Sequence, residues 1–301
     1  MKTRIGQDGL HLFNRHTGLN ILLDEVRADP SAWSSTPRQV SIALTNLCDL
    51  HCSFCFAPKH PAMLSAESVA AWLKELDQTG CMAVGFGGGE PTLHPQFAEI
   101  CQHAAEETRL AVTFTTHGHR LVPPLLERIA GNVHFIRVSV DGVKATYEAQ
   151  RGRRFSALLE RLKDARKLAP LGINVVVNES TVHELDALVK VAYDVGASEL
   201  LLLPQLAAGE VGAASSAVRH ELEQWACSYA GKVRLAVSEA GSEGLPTCDP
   251  LPQEKGLRAY AHIDTSGVIR ASSYEGPGVR IGADGVLAAL NRLKSTIGSE
   301  A

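Results

Sequence analysis

The sequence lacks any apolar run near the roughly 18 residues that a membrane-spanning helix needs. Its first twenty residues mix charged and polar groups without an apolar stretch, so they do not read as a secretory signal. It also lacks a surplus of basic side chains. Against 29 Lys and Arg stand 33 Asp and Glu, a formal charge of −4 with no basic arm or face, so nucleic acid is not an expected partner. A slightly acidic chain suits a cationic substrate only weakly. No internal repeat or low-complexity tract is present. An even, dispersed cysteine set is missing too: there are seven, and Cys48, Cys52 and Cys55 crowd into one short segment. A secreted disulfide scaffold is shorter and has an even count. The expectation is a cytoplasmic protein, because in a reducing compartment clustered thiols more often hold metal.

What is present is an ordinary globular composition. The 301 residues, 45% apolar and 21% charged, suffice for one large domain with a small annex. Residues 1–38 contain two apolar-rich runs, Gly9 to Phe13 and Leu19 to Leu23, around a turn near His16-Thr17-Gly18, followed by a polar linker. Residues 39–237 alternate apolar runs with helical periodicity. Strands are expected over Val40–Leu44, Met82–Phe86, Leu110–Thr115, Val133–Val140, Ile173–Val177 and Glu199–Leu203. Helices are expected from a Ser65 cap to Thr79, and over Gln96–Glu107, Leu121–Ala130, Phe155–Leu168, Val182–Val195 and His220–Ala230. Residues 238–301 break this rhythm with a Gly- and Pro-rich loop, a hairpin within Tyr260–Ile269 and a helix over Gly285–Leu293.

Six β-then-α units with continuous apolar strands imply a parallel sheet covered by helices. The fold class is α/β: a partial (β/α)6 TIM-like barrel with an N-terminal hairpin and a C-terminal annex. A flat doubly wound sheet is the alternative. Either places chemistry at the carboxyl ends of strands. The notable polar segments all follow strands: the cysteine loop, a Gly-rich run, Thr115-Thr116-His117, Asp141 and Asn178.

The segment Cys48-Asp49-Leu50-His51-Cys52-Ser53-Phe54-Cys55 spaces its thiols as C-x3-C-x2-C. Three such thiolates suit three corners of a [4Fe–4S] cube; a zinc knuckle or buried free thiols are the competing readings. No fourth cysteine lies nearby to close the site, which leaves one metal position open to a substrate, as a catalytic centre requires.

This spacing, with Phe54 before the last cysteine, resembles the signature of the radical S-adenosylmethionine (radical SAM) superfamily. The likeness runs from about Gln39 to Leu203. Phe86-Gly87-Gly88-Gly89-Glu90-Pro91 is similar to the family's Gly-Gly-Glu-Pro motif, which implies that Gly88, Gly89 and Glu90 hold the methionine amino group. Ser139-Val140-Asp141-Gly142 resembles a ribose-binding station. Arg151 in the following segment is a candidate for the cofactor carboxylate, with a surface arginine as the competing reading. Asn178 and Gln205 are candidate adenine or ribose contacts and Thr115 a further candidate cofactor contact at other strand ends, against ordinary strand-end polarity. The resemblance implies one [4Fe–4S] cluster, S-adenosylmethionine and a flavodoxin- or ferredoxin-type electron donor. When bound, these groups supply a 5′-deoxyadenosyl radical that removes a hydrogen atom from an unactivated C–H bond.

The annex resembles the cysteine-rich SPASM and twitch extensions of many relatives, but Ala271-Ser272-Ser273 stands where a cysteine usually follows the hairpin. Cys81 and Cys101 read as core residues, and Cys227 and Cys248 are too few for a second four-cysteine cluster. A substrate radical then has no nearby cluster to oxidise it, and a thiol is a good hydrogen-atom donor. Cys248, in a Pro-flanked loop, is the candidate, in the manner of radical epimerases. The leading expectation is therefore epimerisation of an aminoglycoside or peptide natural product. The alternative is oxidation or cross-linking of a ribosomally made peptide. A non-enzymatic iron–sulfur carrier would leave the Gly-Gly-Glu-Pro and Ser-Val-Asp-Gly stations without a purpose.

Overall fold

The computed structural model describes residues 1–208, 211–274 and 276–298. The chain opens with an antiparallel sheet, β1 (Lys2–Gly6), β2 (Gly9–Phe13) and β3 (Asn20–Leu23). The expected hairpin is its second half, and β1 is an addition. Its sequence is polar because its buried side chains are cations with fixed partners. Lys2 pairs with Asp77, while Arg4 donates to Glu254 at 2.6 Å and to the Thr36 carbonyl at 2.8 Å. These bonds pin the small sheet to the main body.

The main body follows as β4 (Gln39–Thr45), α1 (Ala66–Gln78), β5 (Ala83–Gly88), α2 (Phe97–Glu107), β6 (Ala111–Thr116), α3 (Pro123–Ile129), β7 (Phe135–Ser139), α4 (Lys144–Arg151), α5 (Phe155–Leu168), β8 (Leu171–Val177), α6 (Leu185–Asp194), β9 (Glu199–Pro204), α7 (Ser216–Ser228) and β10 (Arg234–Val237). Strands β4 to β10 are parallel and neighbour one another in chain order. A doubly wound sheet needs a reversal of strand order, and these strands have none. The architecture is the partial TIM-like barrel, with β10 as a seventh strand.

Alternate strand residues face the helices and are fully buried: Ile42, Val84, Val112, Ile136, Ile173 and Leu200. Val69, Leu73 and Leu76 of α1 and Leu158 and Leu162 of α5 close the same core. Each such side chain contributes roughly 1.5–3 kcal/mol relative to exposure. The Ser65 hydroxyl caps α1 by accepting the Ser68 N–H at 3.1 Å. α7 starts earlier than its apolar pattern suggests, because Ser215 caps it and accepts the Val218 N–H.

The annex extends the same sheet. Its strands are β11 (Tyr260–Ile263), β12 (Val268–Arg270) and β13 (Gly278–Arg280), followed by α8 (Gly285–Gly298). β11 pairs parallel with β4, and β12 and β13 continue antiparallel outward. α8 docks on α1, where its first N–H groups, from Val286 and Leu287, donate to Glu75 at 2.6 and 2.9 Å. Among the described residues, no helix is long and apolar enough to cross a membrane.

Candidate active site at the strand ends

Three strands converge on one buried carboxylate. β4 runs into the cysteine loop, which is tied at its base by Asn46 N–H to the Ala62 carbonyl at 2.9 Å. β5 ends in the Gly-rich run and crosses directly over the start of that loop. Gly89 N–H donates to the Thr45 carbonyl and Glu90 N–H to the Leu47 carbonyl, both at 2.7 Å. This backbone-on-backbone contact explains the glycines. Gly88 has φ +122°, and a Cβ there would meet the Thr45 oxygen at 2.2 Å; one on Gly89 would meet the Leu47 oxygen at 2.4 Å.

Glu90 is wholly buried. Its Oε1 accepts the Thr92 hydroxyl at 2.6 Å and the Thr92 N–H at 3.2 Å. From the end of β6, the Thr116 hydroxyl lies 2.8 and 2.9 Å from its two oxygens, and His117 N–H donates to Oε2 at 2.9 Å. The carboxylate is thus held in one orientation before any ligand arrives. The His117 ring nitrogen Nε2 reaches 3.3 Å from Glu90 Oε2 and 2.7 Å from Asp49 Oδ1. His117 therefore links the Gly-Gly-Glu-Pro turn to the cysteine loop.

A second buried carboxylate follows β7. Asp141 Oδ1 accepts the Val176 N–H at 2.6 Å, and Oδ2 accepts Arg151 Nε at 2.7 Å. The Arg151 guanidinium stacks over Phe54, 5.2 Å from the ring centroid. Burial would lower the Arg151 pKa, but the Asp141 charge outweighs it and holds the guanidinium above its ordinary range. The two stations expected to meet ribose and carboxylate are therefore bonded to each other and anchored on the cysteine loop through Phe54. Beside them, His119 Nε2 lies 2.8 Å from the buried Tyr147 hydroxyl, and burial lowers the His119 pKa to about 4.

The other expected residues fall on the same rim. Thr115 and Ser139 are half-buried near the ends of β6 and β7. Asn178 donates to Gln205 at 2.9 Å across the ends of β8 and β9, and Gln205 donates to the Gly212 carbonyl at 2.6 Å. Sequence reasoning missed Asp49 and Thr92. Thr92 had a local signal, since Glu90-Pro91-Thr92 is an acidic cap followed by proline at the first helical position. Asp49 had none beyond its place between two cysteines.

Cys48, Cys52 and Cys55 are half-buried on one loop, and none forms a disulfide. Burial raises the Cys48 and Cys52 thiols, and the Arg151 charge partly offsets this at Cys52. Metal binding deprotonates such thiols and releases the protons. Cys48 Sγ, an Asp49 oxygen and a His117 nitrogen lie within 4.8 Å of one another, so the loop also gathers harder donors. Three half-buried thiols, a neighbouring guanidinium and a glycine cradle that admits a ligand against backbone fit an iron–sulfur cluster with a small cofactor on its open side.

The annex is different. Its Cys248 is exposed, as is Cys227 on α7 of the main body, while Cys81 and Cys101 are buried in the core, with burial pushing the Cys81 thiol up to about 11. The annex reaches the barrel through other groups. Tyr274 packs on Phe56 at 4.6 Å between ring centroids, and the Ser41 hydroxyl lies 2.6 Å from both the Tyr260 hydroxyl and His262 Nδ1.

Comparison with known proteins agrees with this geometry. Residues 42–192 match the family model of the radical SAM superfamily. The mycofactocin maturase MftC of Mycobacterium tuberculosis is 31% identical over 163 residues, covering 52% of this chain and 41% of MftC. The PqqA peptide cyclase of Methylorubrum populi is 28% identical over 181 residues, covering 57% of this chain and 47% of the cyclase. The chain thus spans less than half the length of these curated relatives in the matched regions. Streptococcus suis SuiB bound to S-adenosylmethionine superposes with a TM-score of 0.72 at 14% identity, covering 93% of this chain and 84% of SuiB. At that identity SuiB shares the fold. With the family model spanning half of its residues, the chain belongs to the radical SAM superfamily, whose members use a [4Fe–4S] cluster and S-adenosylmethionine.

Proposed function

We propose that this chain removes a hydrogen atom from a ribosomally made peptide and that the resulting radical proceeds to an oxidised product, such as a cross-link or ring. The observation that carries the peptide reading is the likeness, through the site-bearing half of the barrel, to proteins named as a PqqA peptide cyclase and a mycofactocin maturase. When bound, the cluster and S-adenosylmethionine supply the 5′-deoxyadenosyl radical. The chain's own residues bind and orient. Cys48, Cys52 and Cys55 would hold the cluster. Gly88, Gly89 and Glu90 would hold the methionine end of the cofactor, the glycines by letting it approach the backbone. Phe54, Ser139, Asp141, Thr115, Asn178 and Gln205 would position the nucleoside at the strand ends, and Arg151 would face the cofactor carboxylate.

The epimerase reading has less support. A thiol that quenches a radical belongs inside a closed site, and the Cys248 thiol is exposed to solvent. Net oxidation instead needs the substrate radical to lose a proton to solvent and an electron as the new bond forms, and an external one-electron carrier of the flavodoxin or ferredoxin class would take that electron.

The test is anaerobic incubation with S-adenosylmethionine, dithionite and a panel of synthetic peptides, in heavy water. Formation of 5′-deoxyadenosine with a peptide lighter by two hydrogens is the expected result. A peptide carrying one solvent deuterium at an inverted carbon would replace this reading with epimerisation.

A further inference from the structure

The function proposed above leaves two polar groups beside the cysteine loop without a part. Asp49 lies between two of the cysteines, and His117, only 4% exposed, stands just past the end of β6. The hydrogen bonds around the His117 ring assign its proton. Nδ1 accepts the backbone N–H of His119 at 3.1 Å, so its lone pair is committed. The proton of the neutral ring is therefore on Nε2. Nε2 lies 2.7 Å from Asp49 Oδ1, to which it donates, and 3.3 Å from Glu90 Oε2. This tautomer speaks against a separate metal ion between Cys48, Asp49 and His117, whose donor atoms lie within 4.8 Å of one another. A metal on Nε2 requires the proton on Nδ1, where the His119 N–H already points.

The ring thus bridges the two halves of the cofactor site. On one side is Asp49, adjacent in the chain to Cys48 and held from its far side by Arg153, which donates to the Asp49 carbonyl at 3.2 Å. On the other is Glu90, which also accepts the His117 backbone N–H at 2.9 Å. The cysteine loop has other ties, from Asn46 to the Ala62 carbonyl and from the Gly89 and Glu90 N–H groups to the Thr45 and Leu47 carbonyls. Those ties secure the ends of the loop, whereas the His117 bond reaches the residue next to a cysteine. We propose that His117 is a positioning residue: its Nε2–H holds the Cys48 end of the loop at a fixed spacing from Glu90, so that one S-adenosylmethionine molecule can engage the cluster and Glu90 together. The inference rests on family membership and not on the peptide reading. Removing a hydrogen bond that orients a metal-site residue typically costs about 10- to 100-fold in affinity or activity.

The test uses the reconstituted wild type, His117→Leu, His117→Gln and Asp49→Ala. Leu keeps the backbone N–H to Glu90 but removes the ring donor, whereas a Gln amide can present an N–H where Nε2 lies. The Asp49 side chain is 34% exposed, so its removal spares the core. Iron and sulfide per chain report cluster loading, and equilibrium dialysis reports S-adenosylmethionine affinity. The EPR signal of the dithionite-reduced cluster is recorded with and without S-adenosylmethionine. The expected result is about four irons in every protein. Affinity should fall by about tenfold in His117→Leu and Asp49→Ala and largely recover in His117→Gln. The EPR change on adding S-adenosylmethionine should shrink in the two weakened variants. The double variant His117→Leu/Asp49→Ala should be no weaker than either single one, because both remove the same bond. Unchanged affinity in His117→Leu and Asp49→Ala, His117→Gln as weak as His117→Leu, or additive losses in the double variant would each overturn the proposal. So would iron lost in step with affinity in both weakened variants, which would assign the bond to folding of the loop alone.

Discussion

The strand ends of the barrel and the C-terminal annex handle polar chemistry in opposite ways. At the ends of β4 to β7, the buried carboxylates of Glu90 and Asp141 are each satisfied from other parts of the chain, by Thr92, Thr116 and His117 in one case and by Arg151 and Val176 in the other. In the annex, the Cys248 thiol stands in water, and side-chain contacts back to the barrel run through Tyr260, His262 and Tyr274. Buried, fully bonded polar groups fix geometry, because leaving any of them unpaired is costly. The cofactor half of the molecule is therefore preorganised, while the annex offers hydroxyl and aromatic surface rather than fixed metal ligands.

The sharpest way to break this contrast is Arg151→Met, which leaves Asp141 buried without its cation. Unfolding by urea should show a loss of about 3–5 kcal/mol; a loss within error would mean that the pair does not brace the site. Glu90→Gln comes next, because an amide nitrogen would face the donors of Thr92, Thr116 or His117. It should cost about 1–3 kcal/mol in stability, and equilibrium dialysis should show weakened S-adenosylmethionine binding. Gly89→Ala pushes a methyl group into the Leu47 and Asn46 carbonyls at 2.4 and 2.6 Å. Displacing the cysteine loop should cost about 1–3 kcal/mol and lower the iron content after reconstitution. Cys248→Ser tests the other side of the comparison. Stability should stay within about 0.5 kcal/mol of wild type, with iron content and 5′-deoxyadenosine formation unchanged.

The barrel was legible because its physics is local. Parallel strands buried on both faces read as apolar runs such as Ile173–Val177, and Phe155–Leu168 shows the helical period that α5 adopts. The elements that escaped are short or polar. β1 is held by Lys2 and Arg4, whose partners Asp77 and Glu254 are distant in sequence. β10 is only four residues long and takes its place by pairing with β9. In α4 only Tyr147 is buried, so no apolar stripe announces the helix. The site divides along the same line. The cysteine spacing and the Gly-Gly-Glu-Pro turn are contiguous and readable. The bonds from Asp49 to His117 and from Asp141 to Arg151 are not, because a pairing between side chains on different loops or helices leaves no periodic trace in the sequence.

A single cluster held by the barrel loop, with an annex that ligates none, underlies this division. Iron and acid-labile sulfide per chain after anaerobic reconstitution test it most directly, in wild type and in Cys227→Ala/Cys248→Ala. Both proteins should hold about four of each. About eight in wild type, falling to about four in the double variant, would contradict it and place a second cluster in the annex.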